Sequence, residues 1–290
     1  MKNIQLQTIY RTLECRPYNY QGWYDQGNLL QEQYRYEEAL ISYEKALEYH
    51  PNASWAWYER GVTLEELGDY EEAVNSYQKA LELQPDNYWA WYNQGYVYLK
   101  ELREYESALT CFDKALEIRP DDYWAQYRTG ESLRLLGRYQ EAIICFDKAL
   151  EIRPDDYWAW YRMGDTFRLW GRLETALDNY KEALKTKPND YWGWYQKGSV
   201  LQKLKCYKKA ISCYKKAIKN EPKDEWYWYQ QACCYALLDN KKKAIFSLEK
   251  AIELYPEKFR KLAQDNKDFE ILQKHKRFVS LLRQKNTINK

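Results

Sequence analysis

The chain has 290 residues, 45% hydrophobic and 30% charged. It carries enough apolar material to fold, and no stretch approaches the roughly 18 apolar residues needed to span a bilayer. Its formal net charge of +2 conceals a division: residues 1–190 hold 22 Lys/Arg against 33 Asp/Glu, and residues 191–290 hold 23 against 10. Such asymmetry bears on partners and association and leaves the fold open. Thirty Tyr and 13 Trp stand beside only 7 Phe and 2 Met, so most rings carry a polar handle suited to half-exposed positions and interfaces. The seven cysteines have neither zinc-ligand nor oxidoreductase spacing, and His50 and His275 lack partners for catalysis. No metal, cofactor or catalytic site is expected.

In chain order, residues 1–19 read as the second helix of an incomplete repeat, with Ile9, Leu13 and Cys15 turned toward the first full unit. The start, Met1-Lys2-Asn3-Ile4, has no sustained apolar run, so no signal peptide is expected and the cytoplasm is the default location. From there the prolines set the organisation. They fall at 17, 51, 85, 120, 154, 188, 222 and 256, at intervals of 34 with a single 35. Proline lacks a backbone donor and clashes with the preceding turn, so all eight are expected in loops between helices.

Each interval fits two helices and a tight turn. In residues 123–156, Asp122 is placed to cap a first helix carrying Tyr123, Trp124, Tyr127, Gly130 and Leu133. Leu136-Gly137-Arg138 makes the turn, with glycine in the left-handed conformation. The second helix carries Tyr139, Ala142, Phe146, Ala149 and Ile152 on one face. Cys111, Cys145 and Cys213 occupy one equivalent second-helix site and read as packing thiols. Gly27, Gly61, Gly95, Gly130, Gly164 and Gly198 recur inside the first helix. Each costs about 1 kcal/mol against alanine, so the series must serve close contact.

An aromatic, then Gly, a large apolar residue, Ala, an aromatic, Ala and Pro at this period resembles the tetratricopeptide repeat. Seven repeats read as 20–53, 54–87, 88–122, 123–156, 157–190, 191–224 and 225–258. Residues 259–290 follow as capping helices and a basic tail, built on Phe259, Leu262, Phe269, Ile271, Leu272, Phe278, Leu281 and Leu282, with 284–290 expected to be disordered. The resemblance implies an all-α, right-handed superhelical solenoid whose first helices line a concave groove. Arrays this aromatic are similar to cyanobacterial-type members. Two departures stand out. The family's usual leucine before the glycine is replaced by Gln26, Arg60, Gln94, Thr129, Met163, Lys197 and Gln231, and repeat 3 has one extra residue near Leu102-Arg103, expected to alter only its turn.

The resemblance turns the second and fifth first-helix positions into the groove. These are Trp55, Trp89, Trp124, Trp158, Trp192 and Trp226 with Tyr58, Tyr92, Tyr127, Tyr161, Tyr195 and Tyr229; three-residue spacing keeps each pair on one side of its helix. For the tryptophans, core and groove readings are both open, whereas Trp23, Trp57, Trp91, Trp160, Trp194 and Trp228 at the fourth position read as core. Arg128, Arg134, Arg162 and Arg168 form a candidate patch for a carboxylate or phosphate, against an internally salt-bridged surface with Glu131 and Asp165. Tyr or Trp stands where the family's two-carboxylate clamp needs lysine, so that mode is not carried over.

The expected function is a non-enzymatic scaffold or adaptor that binds a partner protein or extended peptide in this aromatic groove. It could serve as a docking or assembly subunit of a larger complex. Single-stranded RNA binding through the basic C-terminal repeats is the alternative, resting on Lys203, Lys205, Lys208, Lys209, Lys215, Lys216, Lys219 and Lys241–Lys243. Salt-dependent head-to-tail self-association is a third, and the oligomeric state stays open.

Overall fold

The computed structural model describes residues 17–283, and within them the chain is a succession of antiparallel helix pairs with no strand. The first helices are Tyr20–Glu32, Ser54–Leu67, Tyr88–Val97, Tyr123–Leu135, Tyr157–Leu169, Tyr191–Lys203 and Glu225–Leu237. Their partners are Tyr36–Tyr49, Tyr70–Leu83, Tyr105–Ile118, Tyr139–Ile152, Leu173–Thr186, Tyr207–Asn220 and Lys241–Leu254. Helix Pro256–Asp265, the 3-10 turn Lys267–Leu272 and helix Lys276–Arg283 follow. The all-α helical-repeat class read from the sequence is the class observed. The chain divides into two compact units between Ile152 and Arg153, the first four pairs in one and the rest in the other. The reading of residues 1–16 as a partial repeat, and of 284–290 as disordered, lies outside the described residues.

Local chemistry sets the helix ends. Asp122 and Asp156 accept the backbone N–H of Ala125 and Ala159, each over 2.8 Å, Asn19 and Asn87 cap Gly22 and Ala90, and Asp190 caps Gly193. Each satisfies a donor that the helix leaves open. At the tight turn one residue per pair is left-handed: Tyr34, Gly68, Arg103, Gly137, Gly171, Lys205 and Asp239. The next N–H then reaches back five residues, as Arg138 N does to Leu133 O over 2.9 Å, which closes the helix end. The extra residue of the third pair is absorbed by a π-turn at Tyr98–Leu102, where Glu104 N reaches six residues back to Tyr98 O over 2.9 Å. The insertion therefore widens one helical turn and leaves Arg103 in the usual left-handed place.

The recurring glycines face rings. A Cβ at Gly27, Gly61 or Gly198 would stand 2.6–2.7 Å from Cε1 of Tyr43, Tyr77 or Tyr214. Gly95, Gly130 and Gly164 hold the same relation to Phe112, Phe146 and Tyr180 at 2.9–3.0 Å. The glycine thus lets the second helix lay an aromatic face on the first helix's backbone. In the seventh pair Ala232 takes the glycine site and Leu248 the ring site, and both are buried. The smaller partner makes room for the larger one.

Seven of the eight prolines sit in loops between or before pairs, but Pro256 is the first residue of helix Pro256–Asp265. The expectation that every proline marks a loop is corrected there. The first helical position needs no N–H donor and suits the fixed φ of proline. Phe259, Phe269, Leu272 and Phe278 from the terminal helices are buried, whereas Ile271 is exposed.

Candidate functional site

The second and fifth positions of the first helix separate sharply in burial. Trp55, Trp89, Trp124, Trp158 and Trp192 are 42–47% exposed. Trp226 is half-buried, under Phe259 at 5.2 Å and Lys258 at 4.4 Å. Tyr127, Tyr161 and Tyr229 are buried; Tyr58, Tyr92 and Tyr195 are half-buried. The tyrosines therefore hold up the tryptophans and offer little surface themselves.

Each exposed indole is the outer ring of a column. In the fifth pair Trp158 meets Tyr161 edge-on at 6.1 Å, and Tyr161 contacts the buried Tyr180 at 5.6 Å, which lies on Gly164. Trp89–Tyr92–Phe112 and Trp124–Tyr127–Phe146 repeat this order in the first unit. Trp192 departs from it, stacking flat on Tyr195 at 5.2 Å with 24° between planes. Edge-to-face contacts fix the rings without covering their outer faces. Burial, followed by Glu59, pushes the Tyr58 hydroxyl up to about 12, and burial with Asp165 does the same for Tyr161. Both stay neutral; Tyr58 accepts from Asn93 Nδ2 of the next pair at 3.1 Å.

The first-position tyrosine and the residue before each loop proline complete the surroundings. Tyr157 donates to Asp190 Oδ2, the cap of the following pair, over 2.6 Å. Arg119 lies 4.3 Å from the Tyr88 ring and 5.4 Å from Trp89, and Lys187 lies 4.6 Å from Tyr157 and 5.1 Å from Trp158. These cations face the aromatic series. Sequence reasoning missed them, although their one-residue offset from each proline was available as a signal.

The fourth-position tryptophans need correction. Trp23 is buried, but Trp57, Trp91, Trp160, Trp194 and Trp228 are half-buried. Their Nε1 donates to the carbonyl of Pro51, Pro85, Pro154, Pro188 and Pro222, over 2.7–3.1 Å. A fully buried indole would strand its N–H, and the loop carbonyl supplies the acceptor. Gln126 stands in for the indole in the fourth pair and donates to Pro120 O over 3.1 Å.

The arginines are engaged internally. In the first unit Arg128 donates to Glu131 over 2.8 Å and lies 5.2–5.9 Å from the rings of Tyr96, Tyr127 and Trp124. Glu131 is only 2% exposed and also receives Lys100 over 2.9 Å. Burial works against the Arg128 charge, but Glu131 and Tyr92 offset it and hold the guanidinium above its usual pKa. In the second unit Arg168 donates through Nε to Asp165 over 2.9 Å, and Arg162 lies 5.9 Å from Tyr161. Arg134 and Arg162 are half-buried. Arg138 is exposed beside Glu141 at the turn.

The position before the glycine is the other variable site. Arg60 donates to Ser76 Oγ over 2.6 Å and pairs with Glu44 at 3.1 Å and Glu72 at 3.8 Å. Gln94 is buried and donates to Val74 O over 3.2 Å. Met163 and Thr129 are buried, and burial together with Lys216 and Lys181 lowers the pKa of the half-buried Lys197. Of the packing thiols, Cys111 and Cys213 are buried and Cys145 is partly so. Among the described residues there is no cluster that could hold a metal ion and no helix long and apolar enough to cross a membrane.

Family models tile almost the whole helical array. Tetratricopeptide repeat models match residues 20–53, 42–75, 86–155, 121–189, 191–224 and 226–258, and a TPR repeat model matches 63–101. The chain belongs to the tetratricopeptide repeat family. No curated protein matches it. Among solved structures, the C-terminal part of a TPR repeat-containing protein from Cytophaga hutchinsonii has a TM-score of 0.70 at 19% identity, covering 81% of this chain and 96% of that one. A tetratricopeptide repeat protein from Parabacteroides merdae has a TM-score of 0.63 at 19% identity, covering 84% and 97%. YrrB, described as a TPR protein with an unusual peptide-binding site, has a TM-score of 0.56 at 25% identity, covering 67% of this chain and all of its own. The first two likenesses concern the fold alone.

Proposed function

We propose that this tetratricopeptide repeat protein is a non-enzymatic scaffold that binds an extended segment of a partner protein along its first-helix face. The observation that carries the reading is Trp55, Trp89 and Trp124 in the first unit and Trp158 and Trp192 in the second, each more than two-fifths exposed and, at Trp89, Trp124 and Trp158, propped on a column of rings that ends in a fully buried one. Large amphipathic rings held rigid before binding lose little entropy on contact and dominate interface energetics. Within each unit the exposed rings offer sites for apolar or aromatic anchors of an extended chain, with Arg119 beside them in the first unit and Lys187 in the second for acidic groups between anchors. The peptide-binding site named for YrrB is in keeping with this class of ligand. On this reading the chain serves as an adaptor or as the docking subunit of a larger complex.

The test selects peptides from a displayed random library on the immobilised full chain and measures their affinity by fluorescence anisotropy. The Trp124→Ala/Trp158→Ala variant should bind the selected peptides at least tenfold more weakly at unchanged helical content. Peptides that bind both proteins equally, or a library yielding none, would overturn the assignment to this face.

A further inference from the structure

In the second, fourth and seventh pairs the residue before the glycine or its neighbours face a niche between the two second helices that flank them. In the second pair the niche is self-neutralised: Arg60 fills it and meets Glu44, Glu72 and Ser76. In the fourth pair it is an open cleft whose walls carry Asp113, Glu117, Asp121 and Glu151 with one cation, Lys148. The seventh pair differs from both. There the cleft holds about 310 Å³ and is lined by Gln231, Ser247, Lys215 and Lys243 with Trp228 and Phe246.

Its polar floor lacks an acceptor. Ser247 Oγ donates to Gln231 Oε1 over 3.0 Å, which fixes the amide with its NH2 on the other side. Gln231 is 4% exposed, and its Nε2 has no hydrogen-bond partner. The equivalent Gln94 directs the same group to Val74 O over 3.2 Å. A buried unpaired donor is a standing penalty that an added acceptor would relieve.

The charges around it are reversed relative to the second pair. The positions of Glu44 and Glu72 are taken here by Lys215 and Lys243, and one pair earlier, around Lys197, by Lys181 and Lys209. Lys209 and Lys243 lie in the first turns of helices Tyr207–Asn220 and Lys241–Leu254, neither of which begins with an acidic residue ahead of them. Cations there oppose the helix dipole, and the contact that Lys243 makes is with the Tyr235 ring at 5.7 Å. Lys216 covers one face of the Trp194 ring at 3.9 Å. The exposed Phe246, edge-on to Trp228 at 6.3 Å, adds an apolar wall.

We propose that the cleft formed by Gln231, Ser247, Lys215 and Lys243 receives a carboxylate side chain from an acidic, extended segment of a partner protein. The Gln231 amide supplies the missing hydrogen-bond donor, the two ammonium groups supply the charge, and Phe246 and Trp228 receive a neighbouring apolar side chain. The cleft is built from Trp228 and Gln231 of the first helix and from the two flanking second helices, and it includes none of the second-position tryptophans.

The test uses the full chain and a fluorescein-labelled decapeptide of alternating Glu and Leu, read by anisotropy at low salt. Lys215→Glu/Lys243→Glu should weaken binding at least tenfold and Gln231→Leu about fivefold. Lys219→Glu/Lys223→Glu, with the same change in net charge outside the cleft, should change it less than twofold. Trp55→Ala/Trp89→Ala should leave it unchanged, which separates this cleft from the first-helix face. Equal loss with both lysine pairs, no binding of the peptide, or an oligo(U) strand that binds more tightly and is lost with the same cleft variants would each overturn the proposal.

Discussion

Replacing Gly198 by alanine sets helix propensity against contact, and the two act on stability in opposite directions. Alanine is favoured over glycine inside a helix by about 1 kcal/mol. A Cβ at this position would stand 2.7 Å from Cε1 of Tyr214, 3.0 Å from Cδ1 and 3.1 Å from Cζ. Tyr214 is fully buried and its hydroxyl hydrogen-bonds Gln202 Oε1 at 2.8 Å. The ring is held at both ends and cannot swing aside cheaply. Overpacking of this kind costs about 1–3 kcal/mol. With the ring so held the upper part of that range applies, and subtracting the propensity gain leaves a net loss of about 1.5 kcal/mol. Tyr214→Leu alone should lose about 2–3 kcal/mol through ring volume and the hydrogen bond. The double variant recreates the Ala232/Leu248 combination of the seventh pair, so the clash disappears and the cycle should show a coupling of about 2 kcal/mol. Native-state hydrogen exchange of residues 191–220 is the suitable assay, because a repeat array need not unfold as one unit. A stabilising Gly198→Ala, or a coupling within about 0.5 kcal/mol of zero, would refute the ring-on-glycine account.

Two further outcomes follow from backbone strain and buried charge. Lys205 holds φ 58° at the same turn position where Gly137 holds 78°, so Lys205→Gly should raise the stability of its unit by about 0.5–1 kcal/mol, whereas Gly137→Ala should lower that of the first unit by about 1 kcal/mol. Melting curves that move in the same direction for both would contradict this. Burial holds the Glu59 carboxyl above its usual range, partly countered by the hydrogen bond from Gln31. The folded chain therefore keeps that proton at a pH where the unfolded chain has released it, and this contribution to stability is lost as pH rises through the folded pKa. Glu59→Gln should consequently stabilise the first unit more at about pH 7 than at about pH 4, as read by urea denaturation; a larger gain at the lower pH would show that the carboxylate is favoured in its charged form.

The helical pairs were legible because their punctuation is chemical. Pro at a fixed period, Asp or Asn at the cap and Gly opposite a large ring are each forced by a backbone requirement, so residue type alone reveals the place. Pro256 was misread because proline serves a loop and the first turn of a helix equally well. The fourth-position tryptophans were misread because hydrophobic spacing does not report where an indole N–H finds its acceptor. The turns at Tyr34, Arg103, Lys205 and Asp239 were hidden, since only three of the seven left-handed residues are glycine. The exposure of the second-position tryptophans could not be read from spacing, because an outer ring and an inner ring of one column share the same helical face.

The repeats also act as controls for one another, and this is where function becomes readable. Positions that close the pairs hardly vary, and their chemistry is explained by packing alone. At the residue before the glycine, the chain places Arg60 among acids, Gln94 on a backbone carbonyl and Gln231 on no acceptor. Only the last leaves a buried group wanting, and it does so where the flanking positions have changed from glutamate to lysine. Packing does not require that change, and at Lys243, in the first turn of its helix, the helix dipole opposes it. A basic niche with a spare donor in the seventh pair, and propped, exposed tryptophans on the first helices of each unit, are features of this sequence that folding leaves unexplained. They differ in chemistry, so they should answer separately to substitution: lysine reversal should act on acidic segments, and tryptophan truncation on apolar ones.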